Sequence, residues 1–439
     1  MHGNRHGVTW VMAEDSARIV ITGSGAICAA GKDRDAIWEA LRAGHSAIAP
    51  IEQWDAPDAA PLAGEIANVE ARELVADRKV HKLLRRTDLL GLYAADKAIH
   101  DAALWARRER LDPAAAALFN DRTGVFVGSG GGAYQNQYDF FPLLTAAQGD
   151  LRAFGSELSA TVNPMWLLRT LPNNVLCHLG IRYGFKGPNT CVTHHSVSGT
   201  LAIAEAAAAV RAGEADRAVA VGHDAPVEPQ TVLYYQQLGL LAADAIRPFD
   251  VARSGSLLGE GAGAVVLENA AAAGAGGADA LGEFLGSACT AEAEGLLAIR
   301  ADGDGLARAI ALALDDAGLH AADVGMIVAH GNGTRQSDAV EAAVIQRLFG
   351  ATPPPVTAFK WGFGHLLAAS GILDTVLALV ALRRGVVPGI ATLRDLDPEF
   401  TGLPVSAGPQ LPRSNVALII SRGFAGATAV LVVRACGRR

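Results

Sequence analysis

Short apolar runs bounded by glycine recur along the whole chain, and they constrain its fold more than any other feature. Valine, isoleucine, leucine and alanine dominate these runs. Continuous apolar runs of this length are typical of strands that are covered on both faces. They occur at Arg18–Gly23, Gly124–Gly128, Arg217–Gly222, Ala262–Glu268, Val324–Ala329, Val416–Ser421 and Thr428–Arg434.

Helix-like segments separate the apolar runs. Strands that alternate with helices predict an α/β fold in which mixed sheets carry helices on both sides. The predicted helices are Arg34–Ala43, Leu89–Leu104, Ser198–Ala212, Gly305–Ala317, Asp338–Phe349 and Leu366–Arg383.

The chain also contains a weak internal repeat. Each half ends in a strand, a glycine-rich turn and another strand, and the alanine- and glycine-rich stretch Ala270–Asp279 reads as a linker by composition. We therefore predict a flexible leader over residues 1–17, a first half over residues 18–270 and a second half over residues 280–439.

Composition excludes several classes of protein. Half of the 439 residues are hydrophobic, which suffices for a large core. The net charge of −8 argues against electrostatic binding to nucleic acid or to an anionic membrane. The five cysteines are odd in number and form no CxxC pair, which argues against a disulfide framework or a zinc site and favours a reducing cytoplasm. No secretory signal and no uncharged apolar stretch long enough to span a membrane are visible.

One turn carries a candidate nucleophile. In Lys186–Thr200 a short strand over Thr190–Thr193 leads into a helix that begins near Ser198. Ser196 therefore lies close to a helix N-terminus, where free backbone N–H groups and the helix dipole favour negative charge. That position suits a nucleophile and an oxyanion site. The alternative is that Ser196 or Ser198 only caps the helix.

Three further glycine-marked turns hold residues that carry chemistry. His330 ends a strand in VAHGNGT, and Lys360 and His365 flank the turn in KWGFGHLL. SRGFAGA, which includes Phe424, is a tight turn between the last two strands. Taken alone, a histidine at a strand end is more often a hydrogen-bonding residue than a catalyst.

Together these segments resemble the beta-ketoacyl synthase (ketosynthase) family of condensing enzymes, which extend fatty acids and polyketides on acyl carrier proteins. The resemblance runs from Arg18 to Arg434 and implies a thiolase fold. That fold is α/β, with two pseudo-duplicated βαβαβαββ halves that form a layered α-β-α-β-α core. The motifs that carry the resemblance are RIVITGSGAICAAG, DRTGVFVGSGGG, RPFDVARSGSLLGEGAGAVVLE, HGNGT followed by SDAVEAA, KWGFGHLLAASG and GFAG.

The resemblance places the family's nucleophile at Ser196, where a cysteine is usual. Cys191 falls inside the preceding strand and is not a substitute. His330 and His365 match the pair that polarises the extender thioester and promotes its decarboxylation.

The resemblance also implies supporting roles. Lys360 matches the lysine that orders the histidine pair, and Glu341 matches the acidic residue associated with it. Phe424 matches the gating phenylalanine, whose backbone N–H joins that of Ser196 in the oxyanion hole.

A serine at position 196 changes the chemistry that the site requires. A helix N-terminus lowers the pKa of a thiol, but a hydroxyl is too weak an acid for that help alone. The serine needs a general base within hydrogen-bond reach, and we predict His330 or His365 in that role. An acyl ester is less reactive than a thioester toward a carbon nucleophile, so oxygen or nitrogen nucleophiles and intramolecular attack become more competitive.

The substrate pocket departs from the family pattern as well. Ser256 stands where a phenylalanine is usual, and His194 and His195 stand where small residues are usual. We predict a reshaped, more polar pocket that suits a specialised-metabolism substrate; drift at tolerant positions is the alternative. The predicted pocket residues are Ser256, His195, Phe363 and Thr334.

These features predict a ketosynthase-like acyltransferase of a polyketide- or fatty-acid-type pathway, acting through an acyl-Ser196 intermediate in condensation, cyclisation or acyl transfer. The first alternative is a non-acylating partner subunit that resembles a chain-length factor. The second is a decarboxylase of malonyl thioesters that acts through His330 and His365. A thiolase is disfavoured because the C-terminal loop offers Ser421 and no cysteine.

The resemblance implies an acyl carrier protein as partner and a homodimer, or a heterodimer with a paralogous ketosynthase. It implies no metal and no organic cofactor, since the acyl group arrives on the phosphopantetheine arm of the carrier or on coenzyme A. Because the carrier is acidic, we predict a basic patch at the tunnel mouth, with Arg85, Arg86, Arg152 and Arg169 as candidates.

Overall fold

The computed structural model describes residues 18–54, 61–131 and 138–437, so the predicted leader lies outside the described residues. The strands are β1 (Ile19–Cys28), β2 (Ala49–Pro50), β3 (Leu62–Ala63), β4 (Thr123–Ser129), β5 (Asn189–Val192), β6 (Arg217–Asp224), β7 (Gly261–Asn269), β8 (Gly282–Thr290), β9 (Met326–Val328), β10 (Val356–Thr357), β11 (Val416–Arg422) and β12 (Thr428–Ala435).

Helices connect most of these strands. They are α1 (Arg34–Arg42), α2 (Ala71–Leu74), α3 (Arg86–Asp101), α4 (Leu104–Glu109), α5 (Pro113–Asp121), α6 (Phe141–Ala147), α7 (Leu151–Thr161), α8 (Trp166–Thr170), α9 (Asn174–Tyr183), α10 (Ser198–Arg211), α11 (Pro229–Gln237), α12 (Ala270–Ala275), α13 (Asp304–Asp316), α14 (Arg335–Phe349), α15 (Lys360–Phe363) and α16 (Ser370–Arg384). Short 3-10 turns lie at His81–Leu83, Tyr138–Phe140, His195–Val197, Ala321–Asp323, Leu367–Ala369, Pro398–Phe400 and Phe424–Gly426.

The two halves of the chain build the same half-sheet. In the first half the strand order is β5-β4-β6-β7-β1, and in the second half it is β10-β9-β11-β12-β8. In each half the first three strands run parallel and the last two pair antiparallel. The half-sheets join through a short antiparallel pairing of β1 with β8. This match in order and direction confirms the predicted duplication.

The helices form three layers around the two half-sheets. Helices α10 and α16 lie in the middle, because each of them contacts strands of both half-sheets. Helix α3 covers the outer face of the first half-sheet, and α13 covers β8 and β12 of the second. This arrangement is the α-β-α-β-α core of the thiolase fold.

Close approach of the two central helices depends on a residue without a side chain. A Cβ added at Gly371, in α16, would lie 1.9 Å from Oγ1 of Thr200 in α10 and 2.5 Å from Oγ of Ser421 in β11. A side chain at this position would displace the two hydroxyl groups, which are hydrogen-bonded to each other at 2.7 Å, so the close packing requires glycine.

The turns that lead into α10 and α16 share their geometry. His195 and Leu367, at the start of the two 3-10 turns, have positive φ angles of 48° and 43°. Ser198 and Ser370, the first residues of the helices, accept a hydrogen bond from the backbone N–H four residues earlier, at 2.7 and 3.1 Å. The duplication therefore extends to the turns that position the site.

The predicted elements agree with the structure in most places, and the exceptions are instructive. The predicted linker Ala270–Asp279 connects β7 to β8, and it begins with helix α12, whose first turn is capped by the side chain of Asn269. Strand β8 was not predicted. None of the helices in the described part of the chain is long and apolar enough to cross a membrane.

Candidate active site

A cavity of about 300 Å³ lies where the two halves meet, and it collects most of the predicted site residues. Ser196 and His195 from the first half line it, and so do His330, His365 and Phe424 from the second half. A volume of this size lies at the lower end of ordinary ligand pockets.

Ser196 lies in the 3-10 turn between β5 and α10, and only 1% of its surface is exposed. No side-chain hydrogen bond caps α10, so neither Ser196 nor Ser198 acts as its N-cap. Oγ of Ser198 accepts from the N–H of His194 and donates to the carbonyl of His195, each at 2.7 Å. The Ser196 hydroxyl is therefore available on the cavity wall.

The imidazole that contacts Ser196 belongs to its neighbour in sequence. Nδ1 of His195 lies 2.8 Å from Oγ of Ser196, and Nε2 of the same ring lies 2.8 Å from the hydroxyl of Tyr235. The His195 ring also stacks on Phe424, with ring centroids 4.4 Å apart. Burial and then the neighbouring His194 lower the pKa of His195 to about 4, so its ring is neutral near pH 7.

His330 and His365 face each other edge to face, with ring centroids 5.1 Å apart. Nδ1 of His330 accepts a hydrogen bond from the backbone N–H of Arg422, and Nδ1 of His365 accepts one from the backbone N–H of Leu367. Burial, followed by the positive charge of Lys360, holds both pKa values well below 6.5. Each neutral ring must then carry its proton on Nε2.

This tautomer corrects the prediction that His330 or His365 is the base for Ser196. The lone pair of each ring is on Nδ1, where a backbone N–H occupies it. What each ring offers at its other nitrogen is an N–H donor, and a donor cannot accept the serine proton. Within the described residues, the hydrogen bond of Ser196 Oγ goes to His195 instead.

Glu341 holds the turn that carries His330. Its two carboxylate oxygens accept the backbone N–H groups of His330 and Gly331, at 2.7 and 2.9 Å. Asp338, one helical turn earlier, accepts the N–H groups of Phe249 and Gly333 and was missed in the sequence. Both carboxylates are fully buried, and burial raises both pKa values, that of Asp338 to about 7.

Lys360 lies behind the two histidines, where 1% of its side chain is exposed. Its Nζ donates to Oδ2 of Asp374 at 3.1 Å. The sequence did not single out Asp374, although a carboxylate in the apolar helix α16 is an unusual residue that could have signalled a buried partner. Lys360 therefore acts on the histidines through its charge and position.

The backbone N–H groups predicted to form the oxyanion hole belong to two 3-10 turns. Ser196 is the second residue of one turn and Phe424 the first residue of the other, where backbone N–H groups have no acceptor within the turn. No described residue accepts a hydrogen bond from either N–H. The Phe424 loop lies against the serine, since a Cβ added at Gly423 would be 3.6 Å from the backbone nitrogen of Ser196.

The predicted pocket residues divide into two groups. His195, Ser256 and Thr334 line the cavity, and the buried Oγ of Ser256 has no hydrogen-bond partner among the described residues. Phe363 does not line it, which corrects that prediction. The Phe363 side chain is fully buried in the main hydrophobic core, because α15 turns it away from the cavity.

Two candidates for a basic patch are also wrong. Arg85 is 4% exposed and is ion-paired with Asp88, and Arg86 bonds the buried Glu260. Their charges are neutralised inside the protein. Cys191 lies in β5, where its Sγ donates to a backbone carbonyl and burial raises the pKa of its thiol to about 11, so it is not a competing nucleophile.

Comparison with known proteins agrees with the geometry. Residues 16–273 match the family described as beta-ketoacyl synthase, N-terminal domain, and residues 281–394 match the beta-ketoacyl synthase, C-terminal domain. This chain belongs to the beta-ketoacyl synthase family. Nodulation protein E of Rhizobium sp. (strain N33) is 33% identical over 423 residues, which cover 95% of this chain and 99% of the relative.

Two further similarities cover nearly the whole chain. The 3-oxoacyl-[acyl-carrier-protein] synthase 2 of Synechocystis sp. (strain ATCC 27184 / PCC 6803 / Kazusa) is 32% identical over 429 residues, which cover 96% of this chain and 98% of the relative. The solved structure of the ishigamide ketosynthase/chain length factor has a TM-score of 0.85 at 29% identity, covering 96% of this chain and 100% of that chain. The ketosynthase family acts in fatty-acid and polyketide-type biosynthesis, and its members are condensing transferases.

Proposed function

We propose that this ketosynthase family member takes an acyl group from a carrier-protein or coenzyme A thioester onto Ser196. The acyl group then takes part in condensation, cyclisation or acyl transfer in a specialised polyketide- or fatty-acid-type pathway. The observation that carries the proposal is the shared cavity. It brings together a buried hydroxyl, two imidazole N–H donors and two backbone N–H groups without acceptors among the described residues.

The first half-reaction is acyl transfer to the serine. Oγ of Ser196 attacks the thioester carbonyl carbon, and the carbonyl oxygen becomes an oxyanion. The backbone N–H groups of Ser196 and Phe424 are placed to donate to it. When the intermediate collapses, the carbon–sulfur bond breaks, the thiol leaves and an ester remains on Ser196.

The second half-reaction uses the two histidines. Nε2–H of His330 and of His365 would donate to the carbonyl oxygen of a malonyl-type thioester and stabilise the enolate left when carbon dioxide departs. The carbanion attacks the carbonyl carbon of the acyl-Ser196 ester, the bond from that carbon to Oγ breaks, and a proton from water restores the serine hydroxyl. An oxygen or nitrogen nucleophile in the same position would instead give an ester or an amide.

The donor of the acyl group is proposed to be an acyl carrier protein, which the name of the Synechocystis relative also mentions. Exposed Arg335 lies on the cavity wall at the start of α14, where it would meet an anionic carrier or its phosphopantetheine phosphate. We propose no metal and no organic cofactor.

We also propose a dimer built on β5. This strand lies at the edge of the sheet and pairs only with β4 among the described strands, and its first two residues are exposed. Addition of the same strand from a second subunit would satisfy the open edge. The proposed partner is a second copy or a paralogue, and the solved structure named the ishigamide ketosynthase/chain length factor combines a ketosynthase with a chain length factor.

A decarboxylase is the second candidate function, because the two Nε2–H donors do not depend on Ser196 for their orientation. Such an enzyme would remove carbon dioxide from malonyl thioesters without forming an acyl-enzyme. The other form of this alternative is a non-acylating subunit that pairs with an active ketosynthase.

Intact-protein mass spectrometry tests the proposal. Incubation with acetyl-, hexanoyl- or dodecanoyl-coenzyme A should add one acyl mass to the native protein and none to Ser196→Ala. The Cys191→Ala variant is the matched control and should keep the adduct. A native protein that gains no acyl mass with any donor would contradict the proposal.

An assay of malonyl-thioester decarboxylation separates the two half-reactions. His330→Ala should abolish decarboxylation and keep the acyl adduct, since the histidine serves only the second substrate. Decarboxylation that persists unchanged in Ser196→Ala, in a protein that never becomes acylated, would support the decarboxylase.

A further inference from the structure

We propose that His195 is the general base that activates Ser196, and that Tyr235 is the positioning residue that holds His195 in the tautomer that a base requires. The proposal rests on the proposed function, because it concerns proton transfer in the same acylation step.

The site needs a base that the histidine pair cannot supply. A serine hydroxyl is not ionised by a helix N-terminus, so its proton must pass to an acceptor as the oxygen attacks. The lone pairs of His330 and His365 accept backbone N–H groups and are not free. His195 is the one imidazole that the structure places in hydrogen-bond contact with Ser196 Oγ, within the described residues.

The three side chains form a continuous hydrogen-bonded chain. Nδ1 of His195 meets Ser196 Oγ at 2.8 Å, and Nε2 meets the hydroxyl of Tyr235 at 2.8 Å. Tyr235 comes from α11 and is 7% exposed, so its position is fixed by packing. When the phenol oxygen accepts Nε2–H, the lone pair of Nδ1 faces the serine, which is the arrangement a base requires.

Packing and backbone also hold the ring in place. Phe424 stacks on His195 with an interplanar angle of 22°, and the Tyr235 ring lies 5.8 Å from that of Phe424. The φ angle of 48° at His195 is a left-handed conformation that a non-glycine residue adopts only at a cost of roughly 1–2 kcal/mol. Strain of this kind is typical of functional sites, and here it turns the side chain of one residue toward the hydroxyl of the next.

The proton balance of the step is complete. As the bond forms between Ser196 Oγ and the thioester carbon, the hydroxyl proton moves to Nδ1 and gives an imidazolium. The imidazolium keeps its Nε2–H···O hydrogen bond to Tyr235. When the carbon–sulfur bond breaks, the departing thiolate takes the proton from Nδ1, which restores the neutral ring and leaves an ester and a thiol.

The low pKa of His195, about 4, fits a ring that is neutral and ready to accept a proton at pH 7. Burial is the main cause of the shift, and it also makes the imidazolium short-lived. Returning the proton to the leaving thiolate is therefore favourable.

Replacing the serine by cysteine provides the decisive comparison, because a thiol ionises without a base. The rate of acyl-adduct formation with the acyl-coenzyme A donors is measured for His195→Phe, alone and combined with Ser196→Cys. Phenylalanine keeps a ring against Phe424 and removes both nitrogens. We expect a loss of about 10²–10⁴-fold in the serine protein and of less than about tenfold in the cysteine protein. His45→Phe is the control, since His45 is an exposed histidine that does not line the cavity, and it should change either rate by less than about threefold.

Tyr235→Phe tests the positioning residue by removing one oxygen. It should slow acylation of the native serine by about tenfold, as expected for loss of one hydrogen bond, and leave acylation of the Ser196→Cys variant unchanged. A purely structural role would slow both proteins equally, and that result would overturn the assignment. Full acylation of His195→Phe at the native rate would overturn the base itself. Failure of the native protein to acylate, when Ser196→Cys does acylate, would instead contradict the proposed function.

Discussion

The buried pair of Lys360 and Asp374 predicts that removing its two members will have unequal effects on stability. Both side chains are 1% exposed, and their charged atoms are 3.1 Å apart. At an effective dielectric constant of about 20, two unit charges at that distance attract by about 5 kcal/mol. The attraction offsets the large cost of removing each charge from water.

The Asp374→Asn variant leaves the Lys360 ammonium buried without a carboxylate, and we expect the free energy of unfolding to fall by about 3–5 kcal/mol. Lys360→Met leaves a carboxyl group whose pKa is already raised by burial, so it can become neutral by taking up a proton. Its deficit should be smaller, about 1–3 kcal/mol. The double variant Lys360→Met/Asp374→Leu should recover most of the native stability, because neither charge remains.

Urea unfolding of the three variants between pH 5 and pH 8, read by circular dichroism, measures these differences. A carboxyl group with a raised native pKa is tolerated while protonated and becomes destabilising as pH rises through that pKa. The deficit of Lys360→Met should therefore grow with pH. The exposed pair of Arg308 and Asp304 is the control, and Arg308→Met should cost less than about 0.5 kcal/mol. A larger loss in Lys360→Met than in Asp374→Asn, independent of pH, would refute the reasoning.

Three other predictions concern the Glu341 hydrogen bonds, the protonation of the two histidines and the packing of Gly371. Glu341→Gln keeps only one acceptor oxygen for the N–H groups of His330 and Gly331. It should lower the free energy of unfolding by about 1–3 kcal/mol, as measured by urea unfolding, and slow decarboxylation, as measured by carbon dioxide release. Because the pKa values of His330 and His365 lie well below 6.5, decarboxylation should be independent of pH between about pH 6.5 and 8, and an activity midpoint inside that range would contradict the neutral tautomers. Gly371→Ala should lower the thermal midpoint through a clash worth about 1–3 kcal/mol, whereas Gly155→Ala, whose added Cβ meets nothing within 4 Å, should leave it unchanged or raise it.

Most of the sheet was predictable because its strands are buried on both faces, so their sequences are uninterrupted apolar runs. Strand β8 was missed because one part of it is only partly buried, and its sequence GEFLGSACT carries polar residues among the apolar ones. The composition of Ala270–Asp279 suggests low complexity and does not reveal helix α12, whose first turn is capped by the side chain of Asn269.

The positions of the reactive turns were predictable, but the contacts among their side chains were not. The motifs place Ser196, His330 and His365 near one cavity, yet the direction of each lone pair depends on backbone N–H groups from distant segments, such as that of Arg422. The contact of His195 with Ser196 depends on a positive φ angle, which no sequence rule assigns to a histidine. The signal that remained was the unusual run of two histidines directly before the serine.

The repeated turn before α10 and α16 has a consequence for how such a centre can change. In the proposed mechanism one copy supplies the nucleophile and its neighbouring imidazole, and the other supplies the second-substrate donor His365. In each copy a serine at the start of the helix accepts the backbone N–H four residues earlier, so the hydrogen bond that shapes each turn comes from its own residues. In the proposed mechanism the repeated turn therefore serves acyl capture in the first half and substrate activation in the second, and exchanging the nucleophile changes only the first of the two turns.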